Sequence, residues 1–220
     1  MSTARLIAIT QPVAPELDGL DLQGVIAYCA RVSNPSNQEN KESAALVDYM
    51  IKHKHWSPFE MVSATIEITT TRDIARQILR HRSCSFQEFS ARYSDPTQLG
   101  FTMREARMQD KQNRQNSLET DDERIKDDWT AMQDHVINES HYAYDWAINA
   151  GIAKEVARSV LPEGLTSSRL YMSATLRSWL HYCELRTGPE TQKEHRQVAT
   201  DCAAVLAPHC ALFERFANCG

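Results

Sequence analysis

Between residues 62 and 69 apolar and polar positions alternate: Val62, Ala64, Ile66 and Ile68 are separated by Ser63, Thr65, Glu67 and Thr69. Side chains of an extended chain point to opposite faces in turn, so this pattern predicts a strand with one buried face. Two more segments read as strands. Residues 4–9, ARLIAI, form a short apolar run ended by Pro12 and Pro15, and residues 168–175, SRLYMSAT, form the other. Helical spacing governs most of the rest. It is visible over 22–32 and over 41–53, the latter through Ala45, Val47, Met50 and Ile51, with the polar loop SNPSNQEN between them. Thr71 is placed to cap a helix running through Leu79, with Asp73 near its positive end. Residues 110–149 are charged and periodic without an interior Gly or Pro, which predicts one long helix or two successive ones closed by Gly151. Helices are also expected over 153–161, stopped by Pro162, over 176–186, and over 190–216 with a break at Pro208. No repeat, low-complexity segment or linker interrupts the chain. Strands separated by helices predict an α/β (α+β) fold. The expectation is a single domain over 1–220, a sheet flanked by helices, with long helices in the middle and C-terminal parts.

Composition narrows the function classes. A length of 220 residues suits one sizeable domain, and a net charge of −5 argues against a general nucleic-acid binder. No apolar run reaches the length needed to span a membrane, and the apolar core of MSTARLIAITQPVAP is short for a secretory leader. Cys29, Cys84, Cys183, Cys202, Cys210 and Cys219 show no CxxC spacing, which favours a reduced, cytoplasmic setting.

Against that acidic background, RHRSCSFQEFSAR at 80–92 is a local basic cluster. On a helix running into residue 81, Gln77, Arg80 and His81 share a face. If the chain beyond a loop at 82–87 is extended, Glu88, Ser90 and Arg92 point the same way. Two short elements would then converge guanidinium groups, an imidazole, a carboxylate and a hydroxyl on one small anionic ligand. Guanidinium–phosphate bonds are charge-assisted and worth about 1.5–3 kcal/mol each. The plainer alternative is a solvated ion-pair cluster. Phe86, Phe89 and Tyr93 favour a partly buried site over it. Neither GxGxxG nor a P-loop occurs, so side chains would have to hold any phosphate. A non-catalytic nucleotide- or RNA-binding protein using the same arginines is the rival reading, and its binding would weaken steeply with salt. Ser90 has no His-plus-acid partner at a recognisable spacing, and Cys84 reads as incidental. His53 and His55 lack a third metal ligand, so no metal is expected. Trp129, Tyr142, Tyr144 and Trp146 read as core and surface of a long helix.

Arg80-His81-Arg82, seven residues and then Ser90 form an RHRx7S string that resembles the signature of flavin-dependent thymidylate synthases. ARVS at 30–33, HKHWSPFE at 53–60, EVARSVLP at 155–162 and ATLRSWLHYCELR at 174–186 resemble further segments of that family, in the same order. The resemblance runs from about residue 24 to 200. It implies methylation of dUMP to dTMP, with methylenetetrahydrofolate as carbon donor, FADH2 as hydride source and NADPH as reductant of the flavin. It further implies a homotetramer of α/β subunits with interfacial active sites, with no nucleic-acid or membrane partner. FAD contacts carry over to Ser33, His55, Ser57, Arg80, His81, Arg82, Glu88, Thr175, Leu176, Arg177 and His181. Those to dUMP carry over to Gln77, Arg80, Glu88, Ser90, Ala91, Arg92, Arg158 and Arg186, and Arg186 is the implied catalytic group at the uracil edge. Thr175 and His181 stand where many members carry Asn, the alignment over 163–170 needs about one inserted residue, and 102–135 carries no usable motif.

Overall fold

The computed structural model describes residues 3–217; Cys219 and the first two residues of the leader reading lie outside them. In chain order the elements are β1 (Thr3–Ile9), α1 (Leu22–Ala30), α2 (Ala44–Lys52), β2 (Ser63–Thr71), α3 (Arg72–Ile78), β3 (Ser85–Glu88), β4 (Arg107–Gln109) and β5 (Ser117–Glu119). They continue with α4 (Glu123–Asn149), α5 (Lys154–Ala157), β6 (Ser167–Thr175), α6 (Leu176–Arg186), α7 (Lys193–Leu206) and α8 (Glu214–Ala217). Short 3-10 turns join several of these.

The main sheet has the order β1-β2-β6-β3, and every pairing in it is antiparallel. The architecture is therefore α+β, without the parallel strands of a doubly wound fold. Its centre is the ladder between β2 and β6, which runs in register from Ser63↔Thr175 to Thr71↔Ser167. Ala64, Ile66 and Ile68 of β2 and Leu170, Met172 and Ala174 of β6 are buried on one face, as the alternation predicted. Helices cover that face. Ile74 and Ile78 of α3, Trp179 of α6 and Val198 of α7 join the same core, and Trp179 Nε1 donates to the Ala64 carbonyl at 3.1 Å. The opposite face carries Arg5, Glu67 and Tyr171 and stays polar, with Arg5 paired to Glu67 at 3.0 Å.

Both central strands turn straight into helices. Thr71 precedes α3, and Thr175 caps α6 by accepting from the Ser178 N–H. Since β2 and β6 are antiparallel, α3 and α6 start at opposite ends of the sheet.

Several expectations are corrected. Residues 110–149 are not all helical. The helix starts only at Glu123, behind an Asp122 cap that accepts from Arg124 N and Ile125 N, and Asp110 instead organises the β4–β5 hairpin. Asp110 accepts from the backbone of Gln112 and Asn113 and from the Asn116 side chain, local bonds that compete with a helix. At the other end Gly151 takes φ 81°, the left-handed conformation expected of a helix-closing glycine. Strand β3, placed in the expected loop, is four residues long, below the reach of a periodicity argument. The break expected at Pro208 is present: α7 ends at Leu206, and the chain passes Pro208 in 3-10 turns before the short α8. The helix expected over 153–161 is a short α5 continued as a 3-10 turn.

Ile68 is fully buried between β6 and the helices. Ile68→Ala should lower stability by about 2–5 kcal/mol, whereas Thr65→Ala on the polar face should change it by less than about 1 kcal/mol. Urea unfolding of both variants checks this, and equal losses would contradict the assigned faces.

Candidate active site

After α3 the chain makes a tight turn rather than another helical residue: Arg80 N–H donates to Gln77 O, and His81 N–H to Ile78 O. This separates side chains expected on one face. Arg80 and Arg82 are exposed, while His81 is buried. The turn lies along α6. Ser178 Oγ donates to Ser83 O at 3.3 Å, the Tyr182 ring meets the His81 ring edge-on at 4.9 Å, and Arg186 Nε donates to His81 Nε2 at 2.9 Å. Those three α6 residues stand four apart, one stripe of the helix. The adjoining stripe, Arg177, His181 and Glu184, lines a cavity of about 410 Å3 with Ser178, Trp56, Glu60 and Ser83. Thus the 53–60, 80–92 and 174–186 segments meet around one space, and Arg177 is ion-paired with Glu60 across it.

Gln77 points inward. Its Nε2 donates to Gln192 Oε1 at 2.8 Å, and its Oε1 faces His195 Nδ1 at 3.2 Å, so that nitrogen carries the proton. His195 and Tyr182 are fully buried, and neither His195 Nε2 nor the Tyr182 hydroxyl has a hydrogen-bond partner among the described residues. Nothing in the sequence marked His195 or Gln192, since a lone His or Gln on an amphipathic helix carries no motif.

Beyond the turn, β3 pairs with β6 and ends at Glu88, whose carboxylate accepts from the buried Ser168 hydroxyl at 2.8 Å. The extended run expected through Arg92 stops there. Ser90 O accepts from Tyr93 N and Ser94 N, so 90–94 is a turn, and the alternation of Glu88, Ser90 and Arg92 is lost. Tyr93, expected to be partly buried, is 80% exposed. Glu88 and Ser90 line a cavity of about 340 Å3 with Arg169 and Tyr171. Buried Ala91 and Arg158 line a neighbouring one of about 360 Å3 with Arg72 and Arg76. Arg92 pairs with Glu155 at 3.2 Å, both exposed.

The remaining expected residues sit at different places. Ser33 lines a separate cavity of about 300 Å3 beside Arg31, whose guanidinium binds the carbonyls of Asn40 and Glu42 and closes that loop. Lys54 takes φ 58°, and the rings of both His53 and His55 come against Tyr49. Ser57 is exposed at the start of a 3-10 turn. The Leu176 side chain lies in the core, which leaves only its backbone for a ligand. Burial raises the Cys84 thiol pKa and outweighs its hydrogen bond with Ser83, which accords with reading Cys84 as incidental.

Cations divide into two groups. Arg104 and Arg107 are largely buried and held by Asp73, Glu105 and Glu194. Arg80, Arg82 and Arg186 form no ion pair with a carboxylate among the described residues. Of the three, only half-buried Arg186 bears a desolvation cost that an anionic ligand would offset, and exposed Arg80 and Arg82 are free to reach a ligand. Flavin phosphates and a nucleotide phosphate fit that need, and the Trp56-lined cavity offers an aromatic wall for a planar ring system.

Burial, reinforced by Arg186, His181 and Arg80, pushes His81 from 6.5 to about 4. Burial, then Arg186 and His81, brings His195 to about 3. The unfolded chain protonates both near 6.5, so between there and these lower values it binds more protons than the folded chain. Stability from these residues is complete above pH 6.5 and falls as pH drops through that window. Melting temperature should decline between pH 6.5 and 5, and less steeply in His195→Gln. Parallel profiles for the two proteins would rule out this linkage.

The structure can now be set beside known proteins. Residues 18–210 match the family model of thymidylate synthase complementing proteins. A flavin-dependent thymidylate synthase of Synechocystis sp. is 50% identical over 206 residues, covering 93% of this chain and 94% of its own. A probable flavin-dependent thymidylate synthase of Paramecium bursaria Chlorella virus 1 is 46% identical over 206 residues, covering 93% of each chain. The fold matches that of a UMP/dUMP methylase, PolB, from Streptomyces cacaoi in complex with 5-Br dUMP, with a TM-score of 0.78 at 24% identity, covering 98% of this chain and 94% of the other. The match over most of the chain covers all five motif segments, three of which fold around one cavity, and the chain belongs to the flavin-dependent thymidylate synthase family.

Proposed function

We propose that this chain reductively methylates dUMP to dTMP, with methylenetetrahydrofolate as carbon donor, FAD as cofactor and NADPH as reductant of the flavin. The observation that carries this reading is the bond from Arg186, at the end of α6, to His81 in the turn after α3 that also carries Arg80 and Arg82.

Arg80, Arg82 and Arg177 would hold FAD with His55, Ser57, His181, the Thr175–Leu176 backbone and the ring of His81, and Ser33 would approach from the loop closed by Arg31. The group supplies the hydride chemistry when bound. Arg92, Arg158 and the Ser90 hydroxyl would fix the dUMP phosphate, with Ala91 close behind and Glu88 and Gln77 orienting the nucleoside. The Arg92–Glu155 pair is exposed and worth little, so a phosphate can displace the carboxylate. Arg186 then stabilises negative charge on the uracil ring, an electrostatic contribution that acts where charge develops. Holding both ring systems in contact supplies the proximity term.

A homotetramer with shared active sites is part of the same reading. Ile125, Trp129, Met132, Val136 and Trp146 of α4 are exposed and follow a three-and-four spacing, with Ala143 in phase and Glu139 interrupting. That stripe suits another helix of the same protein. We place the enzyme in the cytoplasm, a reading supported by the free thiols of Cys29, Cys84, Cys183, Cys202 and Cys210. No described helix is long and apolar enough to cross a membrane.

Protein saturated with FAD and desalted should keep a flavin spectrum that dUMP perturbs, and should form dTMP with the folate and NADPH. Arg186→Ala should lower turnover roughly 100-fold or more while leaving the melting temperature within a few degrees. Arg92→Ala should chiefly weaken dUMP binding, by about tenfold. Unperturbed flavin and no dTMP from folded protein would overturn the function. A fully active Arg186→Ala would remove that residue's role. Light scattering should report four 25.0 kDa chains per particle; a monomer would exclude shared sites.

A further inference from the structure

Among the described arginines, Arg186 is held in an unusual way. It stands at the last turn of α6, half-buried, and no described carboxylate pairs with it. Its Nε donates instead to His81 Nε2 at 2.9 Å. An imidazole nitrogen that accepts must be unprotonated, so His81 is neutral and carries its proton on Nδ1. Neutrality has a consequence for the arginine. A carboxylate at this place would neutralise the guanidinium and occupy one edge of its fork. A neutral acceptor on Nε fixes the plane of the group yet leaves its charge and both terminal nitrogens to a ligand.

The imidazole itself is held from several sides. Its backbone N–H donates to Ile78 O, and its carbonyl accepts from Cys84 N. The ring stands edge-on to fully buried Tyr182 at 4.9 Å and to fully buried His195 at 6.4 Å. His195 is in turn fixed by Gln77, and Gln77 by Gln192. Burial, and then the positive charges of Arg186 and Arg80, keep His81 neutral, and no acidic side chain takes part in this array to oppose them. The anchoring is far stiffer than contact with a bound ligand alone would require.

We propose that His81 is a positioning residue for Arg186: its neutral imidazole aims the guanidinium at the substrate ring and keeps the full positive charge available there. This assignment rests on the function proposed above, and gives His81 a role beyond lying against the flavin.

The test compares His81→Phe and His81→Gln with the wild type, each loaded with FAD. Phe keeps a ring against Tyr182 but has no acceptor, whereas Gln Oε1 can still accept from Arg186 Nε. For His81→Phe, kcat should fall roughly ten- to hundredfold, with flavin retention after desalting and KM for dUMP within about threefold. His81→Gln should recover most of the loss. Unchanged kcat in His81→Phe overturns the assignment, as does loss of flavin binding that Gln fails to restore. A wild type that forms no dTMP overturns the function and this assignment together, whereas an active wild type with an unaffected Phe variant overturns the assignment alone. Should the Phe variant not fold, 15N spectra of histidine-labelled wild-type protein at pH 7 decide the matter. The neutral tautomer protonated on Nδ1 is expected at His81, and an imidazolium or an Nε2-protonated ring would overturn it.

Discussion

The nine-residue antiparallel ladder between β2 and β6 is the constraint on which the site depends. Its register is pinned because one face of both strands is buried, and a slip of one residue would turn Ile66, Ile68, Leu170 and Met172 to solvent. Each strand runs directly into a helix, so the register also sets the relative height of α3 and α6. The turn at 80–84 then comes to lie along Ser178, Tyr182 and Arg186. Residues 105 positions apart thereby share a hydrogen bond. Trp179, donating to the Ala64 carbonyl from within the core, locks the rotation of α6 that presents this stripe. Site geometry is a consequence of sheet register, one step removed.

Electrostatics on this acidic chain separates cations held by carboxylates from those that are not. Arg104 reaches Asp73, Glu194 and the Thr71 hydroxyl, and ties the segment before β4 to the start of α3 and α7. Arg107 and Lys193 extend that network through Glu105, Glu119 and Glu194. Burial works against the charge of Glu194, yet its bond from Gln192 and the charges of Arg104 and Arg107 keep its pKa low. These groups are satisfied within the chain. Arg80, Arg82 and Arg186 have no carboxylate partner among the described residues, as is also true of Arg72 and Arg169, and what sets Arg186 apart is its bond to His81.

What was legible in the sequence follows from range. The alternation at 62–69, the Asp122 cap at the start of α4 and the break at Pro208 are short-range effects, and of these only the cap was not legible. The Asp122 cap was hidden because charge continued smoothly through 110–122, where Asp110 and Asn116 prefer turn bonds to helical ones. Strand β3 escaped because it owes its existence to β6, not to its own four residues. The motif segments named the candidate residues, yet their grouping in space could not be read from them. The bonds Arg186–His81, Ser168–Glu88 and Gln77–His195 join residues at least 80 positions apart. Tyr182 and His195 carried no signal because a polar group buried within a helix looks like any other residue on an apolar face.

The exposure of the proposed site residues bears on the proposed assembly. Ser33, His55, Ser57, Arg80, Arg82 and Arg92 are all exposed, so a single copy offers them to water from one side. Charge stabilisation of the kind assigned to Arg186 is strong only where water is excluded. A wall is therefore needed, and the apolar stripe of α4 supplies a reason for copies to meet. Trp129, Met132 and Val136 border a cavity that also reaches Gln192, the partner of Gln77. An interface on α4 would thus press on the same side-chain chain that steadies His195 and, through it, the setting of His81. In the proposed assembly, interface and site geometry would then be coupled through Gln192 and Gln77.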